Sequence, residues 1–139
     1  MIPIDQTILS SDFTTIGNCF QACIASILEL PLESVPHFCA AENWFGPFAA
    51  WLRQYGLEPV MIAAKNEVGN IFYGNAYHIV SGIPPRTLPV GQLHSCVMYQ
   101  GRLVHDPHPS KMGLKTIIDH IVFAVMNPVA LASGAEEKP

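Results

Sequence analysis

The chain has 139 residues, half of them hydrophobic and only 13% charged, with a formal net charge of −4. That length supports one domain with a real core. The seven Lys and Arg residues are scattered, so neither nucleic acid nor an anionic membrane is an expected partner.

The opening Met1-Ile2-Pro3-Ile4-Asp5-Gln6 has no basic segment followed by an apolar run, so no signal peptide is expected. Residues 1–16 read as irregular or extended, with a turn at Ser10-Ser11-Asp12. From Asn18, a good N-cap, Phe20, Cys23, Ile24, Ile27 and Leu28 recur at the spacing of one helix face. Pro31 ends that helix, and Pro31 to Pro36 begins a further short helical turn. A second helix is predicted from about Pro47 to Tyr55, stopped by Gly56, with Phe48, Trp51 and Leu52 inward and Trp44 and Phe45 in the core.

Strands follow at Glu58 to Ala64 and Tyr77 to Ser81, separated by a Gly- and Asn-bearing loop over Asn66 to Asn75. That loop has the composition of a gate over a groove. Leu93 to Tyr99 and Arg102 to Asp106 form a hairpin, and Ile118 to Met126 a last strand. No apolar run approaches the roughly 20 residues of a membrane span. Ile121 to Ala132 is short and broken by Asn127-Pro128. Residues 1–127 are expected to form the domain and 128–139 a flexible tail. Helices first and strands afterwards predict an α+β fold, N-terminal helices packed on an antiparallel sheet.

The stretch Gly17-Asn18-Cys19-Phe20-Gln21-Ala22-Cys23 carries the chemistry. A thiol in the first turn of a helix faces unpaired N–H groups and the positive end of the dipole, which favours the thiolate and makes a nucleophile. The other cysteines, Cys23, Cys39 and Cys96, are expected to be structural, Cys96 on the same strand face as His94. The four thiols show no C-x-x-C pair or zinc spacing and, without an export signal, read as reduced thiols of a cytoplasmic protein. Downstream, His94 opens one strand of the hairpin and Asp106 ends the other. A three-residue loop, Tyr99-Gln100-Gly101, pairs Met98 with Arg102 and sets His94 across from Asp106 on one face; a two-residue Gln100-Gly101 loop puts them on opposite faces. Glycine at the third position suits the longer loop. Asp106 then orients the imidazole and leaves its second nitrogen for Cys19.

A Cys opening the first long helix, a His opening a strand and an Asp-Pro ending the next together resemble the papain-like cysteine peptidases, most closely the bacteriocin-leader-peptidase type. GNCFQACIASIL with VPHF and HSCVMYQGRLVHDPHPS is also similar to small phage and prophage proteins of that kind. The resemblance spans roughly residues 4–125, with only the Cys, His and Asp-Pro segments specific. It implies a papain-like fold and a Cys-His-Asp triad: Cys19 as nucleophile, His94 as general base and acid, Asp106 as orienting group. It also implies an oxyanion donor upstream of the cysteine, a role Gln6 alone can take. Gln6 lies thirteen residues before Cys19, farther than the family spacing, and Phe20 replaces the glycine that commonly follows the nucleophile. The implied activity is hydrolysis of, or transfer at, an amide bond through a thioacyl intermediate, with a peptide, protein or cell-wall amide as substrate and no cofactor.

Three rival readings follow from the same residues. His78, which also enters a strand, competes with His94 as base. His105, Asp106 and His108 form a short run of potential metal ligands, though Pro107 limits their convergence and no metal is expected. A papain-like scaffold is equally usable without catalysis, as an inactive module binding a host or partner protein.

Overall fold

Near-continuous burial and a proline stop mark where the first helix begins and ends. The computed structural model describes residues 1–11, 14–64 and 75–126. Helix α1 (Cys19–Leu28) buries Cys19, Phe20, Ala22, Cys23, Ile24, Ala25 and Ser26. Glu29 then turns left-handed (φ 56°), its N–H bonded to the Ala25 carbonyl, two residues before Pro31. Two single 3₁₀ turns follow at Leu32–Ser34 and Phe38–Ala40. Helix α2 (Phe45–Arg53) starts two residues earlier than predicted and buries Phe48, Ala49 and Leu52. Gly56, at φ 70°, turns the chain out of α2 into the first strand.

Five strands follow among the described residues: β1 (Leu57–Ala63), β2 (His78–Ile83), β3 (His94–Tyr99), β4 (Arg102–His105) and β5 (Thr116–Val125). They form one sheet in the order β1-β5-β2-β3-β4, every neighbouring pair antiparallel. The last strand thus inserts between the first two. The core joins Phe20, Ile24, Phe48 and Leu52 from the helices to Ile79, Val97 and Ile121 from β2, β3 and β5. Phe48 sits at its centre, its ring 5.0 Å from Phe20, 5.5 Å from Phe38 and 6.0 Å from Phe123. The result is an α+β architecture with N-terminal helices on an antiparallel sheet. No helix among the described residues is long and apolar enough to cross a membrane. Residues 66–74 of the expected gating loop and the expected tail lie outside the described residues.

Two bulges set which side chains share a face. Between β2 and β5, Ser81 pairs with Asp119 but Gly82 with Ile117, so Ile118 is the extra residue. A Cβ on Gly82 would sit 1.9 Å from the Thr116 carbonyl oxygen; the strands come this close only because residue 82 has no side chain.

The β3–β4 hairpin corrects the register expected from sequence. Tyr99 pairs with Arg102, so the loop is the two-residue Gln100-Gly101, both at positive φ (52° and 72°) as a type I′ turn requires. Left uninterrupted, that register would put His94 and Asp106 on opposite faces. A bulge intervenes: Met98 pairs with Leu103 and Val97 with His105, leaving Val104 extra. The added residue restores the parity. Continuing this register sets Asp106 beside Cys96, on the same face as His94 and one diagonal step from it.

Candidate active site

Asn18 holds the start of α1 by an unexpected route. Its side chain makes no cap bond to the helix. Instead its Oδ1 accepts from the N–H groups of Thr7 (2.9 Å) and Ile8 (2.7 Å), and its Nδ2 donates to Thr7 Oγ1 (3.0 Å) and Gln21 Oε1 (3.2 Å). This clasp ties the N-terminal segment, including Gln6, across the end of the helix where Cys19 sits.

Cys19 opens α1 with 9% of its surface exposed. Its Sγ accepts a hydrogen bond from the Ser95 backbone N–H at 3.4 Å, and its side chain lines one narrow cleft with His94. On the other side of the ring, His94 Nε2 lies 2.6 Å from Asp106 Oδ1, with both side chains 2% exposed. Asp106 is held in turn. Its Oδ1 accepts from the His108 N–H (2.9 Å) and its Oδ2 from the Gly113 N–H (2.7 Å). The hydrogen bond to Asp106 fixes the tautomer, so Nδ1 is the nitrogen left for sulfur.

The electrostatics follow from this chain of contacts. Burial pushes the Cys19 thiol up, but the hydrogen bond and charge of His94, with the Ser95 N–H, bring it below the ordinary thiol value. Burial likewise works against a charged His94, yet Asp106, Cys19 and Cys96 together raise it to about 11. For Asp106, burial is outweighed by His94 and the two backbone N–H groups, which hold the carboxyl well below the usual range. The three remaining thiols go the other way. Burial raises Cys23 and Cys96, and Cys39 to about 12. Of the four thiols, Cys19 is therefore the one shifted toward the thiolate, and its neighbour His94 is shifted toward the imidazolium.

The structure brings Cys19, His94 and Asp106 together. Gln6 shares a narrow cleft with Cys19, His94 and Arg86. One of its amide hydrogens is donated to the Ile8 carbonyl (2.8 Å), while its Oε1 is buried without a partner. His78 lies elsewhere on β2, its Nδ1 3.0 Å from the Ala76 carbonyl and its Nε2 3.1 Å from His120 Nδ1.

The His105-Asp106-His108 run does not converge. His105 Nε2 bonds the Ile4 carbonyl (2.7 Å) and His108 Nδ1 meets Ser110 Oγ (2.9 Å). Among the described residues, the ligand atoms that gather are those of His94, Cys96 and Asp106, all within 4.8 Å of one another and all buried. Their donor types suit a zinc-like cation, while His94 Nε2 and Asp106 Oδ1 are engaged with each other at 2.6 Å. Cys96 joins this cluster through strand alternation, two residues from His94, which the sequence shows. Nothing in the sequence marks Ser95, Arg86 or Asp119, whose positions depend on strand register and a loop path.

The fold and this buried His-Cys-Asp cluster define a class: an α+β domain with a site suited to thiol chemistry. No protein-family model, curated protein or solved structure matches the chain.

Proposed function

We propose that this protein is a cysteine hydrolase of papain-like type, with Cys19 as nucleophile, His94 as general base and acid, and Asp106 as the orienting carboxylate. One observation carries it: a buried imidazole, pinned by Asp106 at 2.6 Å, lines one cleft with a helix-opening thiol whose sulfur accepts the N–H of the neighbouring Ser95. The Cys19 proton passes to His94, and the thiolate attacks an amide carbonyl carbon. The oxygen takes up the negative charge, facing the Cys19 backbone N–H and the second N–H of the Gln6 amide. His94 returns its proton to the amine nitrogen as the C–N bond breaks, leaving a thioester on Cys19. Water, deprotonated by His94, attacks the thioester carbonyl, and the expelled sulfur regains a proton. An acyl acceptor in place of water makes the same cycle a transfer. Peptides, proteins and cell-wall amides all present the required bond, and the chain is proposed to act in the cytoplasm.

Iodoacetamide alkylation at pH 7, read by peptide mass spectrometry, tests this. Cys19 is expected to react selectively, and His94→Ala to slow it by about a hundredfold, the low end for loss of a catalytic base. Equal sluggishness at all four thiols would refute the hydrolase and favour a binding module that has kept the fold without the chemistry.

A further inference from the structure

Beside the thiol lies a cavity of about 290 Å³. That is at the lower edge of ligand-pocket sizes, room for one large side chain rather than several. Phe20, Trp44 and Met61 contribute apolar walls. Two carboxylates, Glu42 and Asp119, also line it, and among the described residues the lining has no Lys, Arg or His.

The floor is ordered by the sheet. Asp119, Ser81 and Ser95 stand side by side on β5, β2 and β3 through the pairs Ser81–Asp119 and Ser81–Ser95. The Ser81 and Ser95 hydroxyls are 3.1 Å apart, and the Ser95 N–H points to the Cys19 sulfur. A polar row therefore runs from the thiol to a carboxylate two strand spacings away, roughly 10 Å. At its end Asp119 Oδ1 is buried with no hydrogen-bond partner among the described residues. Burial also raises the Asp119 carboxyl above its ordinary value. A buried orphan acceptor is costly in a folded protein. A guest that brings a donor would remove that cost.

We propose that this cavity is the specificity subsite of the hydrolase and takes a long side chain with an apolar stem and a cationic end, lysine- or arginine-like, the stem against Phe20, Trp44 and Met61 and the charge at Asp119. It rests on the hydrolase reading above. Arg86 lines the adjoining narrow cleft and not this cavity, so a basic guest is favoured toward the carboxylates rather than toward that cleft.

Matched alkyl methanethiosulfonates ending in ammonium, methyl, carboxamide or carboxylate, reacted with the full chain and read at the Cys19 peptide, test the assignment. The ammonium reagent is expected to react about tenfold faster than the methyl one, the worth of one charge-assisted hydrogen bond, and the carboxylate slowest. Asp119→Asn should remove most of that preference and Glu42→Gln a smaller part, with iodoacetamide alkylation unchanged in both variants as the check on fold and thiolate. Equal rates, a carboxamide as fast as the ammonium, or a preference untouched by Asp119→Asn would overturn the subsite while leaving the hydrolase standing. Slow iodoacetamide alkylation of wild-type Cys19 would overturn both.

Discussion

Cys19 and Cys23 lie one helical turn apart in the same apolar setting, and burial pushes both thiols up. Only Cys19 has an imidazole and a backbone N–H against its sulfur, and that alone reverses the sign. The state of His94 depends in turn on Asp106. Asp106→Asn preserves the shape but removes the charge that holds the imidazolium. The midpoint of Cys19 alkylation against pH should then move up toward the ordinary thiol value, and the rate at pH 7 should fall by about tenfold for each unit of movement. Stopped alkylation from pH 5 to 10 measures it, and an unmoved midpoint would show that Asp106 does not act through His94.

Each of the two bulges inserts one residue and reverses the facing of all that follows. The bulge at Val104 returns Asp106 to the face of His94 after a two-residue turn has set the opposite parity. The one beside Gly82 brings Asp119 level with Ser81 over the cavity floor. Gly82 is the vulnerable point, since an added Cβ meets backbone rather than a yielding side chain. Gly82→Ala should cost about 3 kcal/mol and lower Tm by roughly 10 °C. Gly46, in the first turn of α2 with no non-adjacent atom within 4 Å of an added Cβ, is the comparison. Gly46→Ala should be near neutral, within about 0.5 kcal/mol, since the helix gain of alanine is offset by the crowding that the following Pro47 ring imposes on a Cβ. Thermal unfolding of the pair shows a large loss at residue 82 alone if strand approach, not glycine content, sets the response.

Across the whole molecule, the buried Asp106–His94 pair links the site to global stability. The Asp106 carboxyl is depressed on folding, so its contribution is present above the unfolded value of about 3.9 and is lost as pH falls toward the folded one. His94 has the opposite sign: raised to about 11, its contribution is full below about 6.5 and is lost as pH rises through the folded value. Urea unfolding of wild type against Asp106→Asn should show a wild-type advantage near pH 6 that shrinks below about pH 4; a gap independent of pH would remove the linkage. Element identity was legible in the chain itself. The helix-face spacing from Phe20 to Leu28, the stop at Pro31 and the alternating runs after Gly56 are local patterns, and local sterics and burial suffice to read them. Cys19, His94 and Asp106 were legible as candidates too, because a thiol at a helix start and an Asp-Pro at a strand end are short-range signals. Facing was not. Whether Asp106 meets His94 and whether Asp119 reaches the cavity each turn on one extra residue in a strand. A bulge is selected by the summed packing of both sheet faces, with partners dozens of residues apart, so only the assembled fold could decide it.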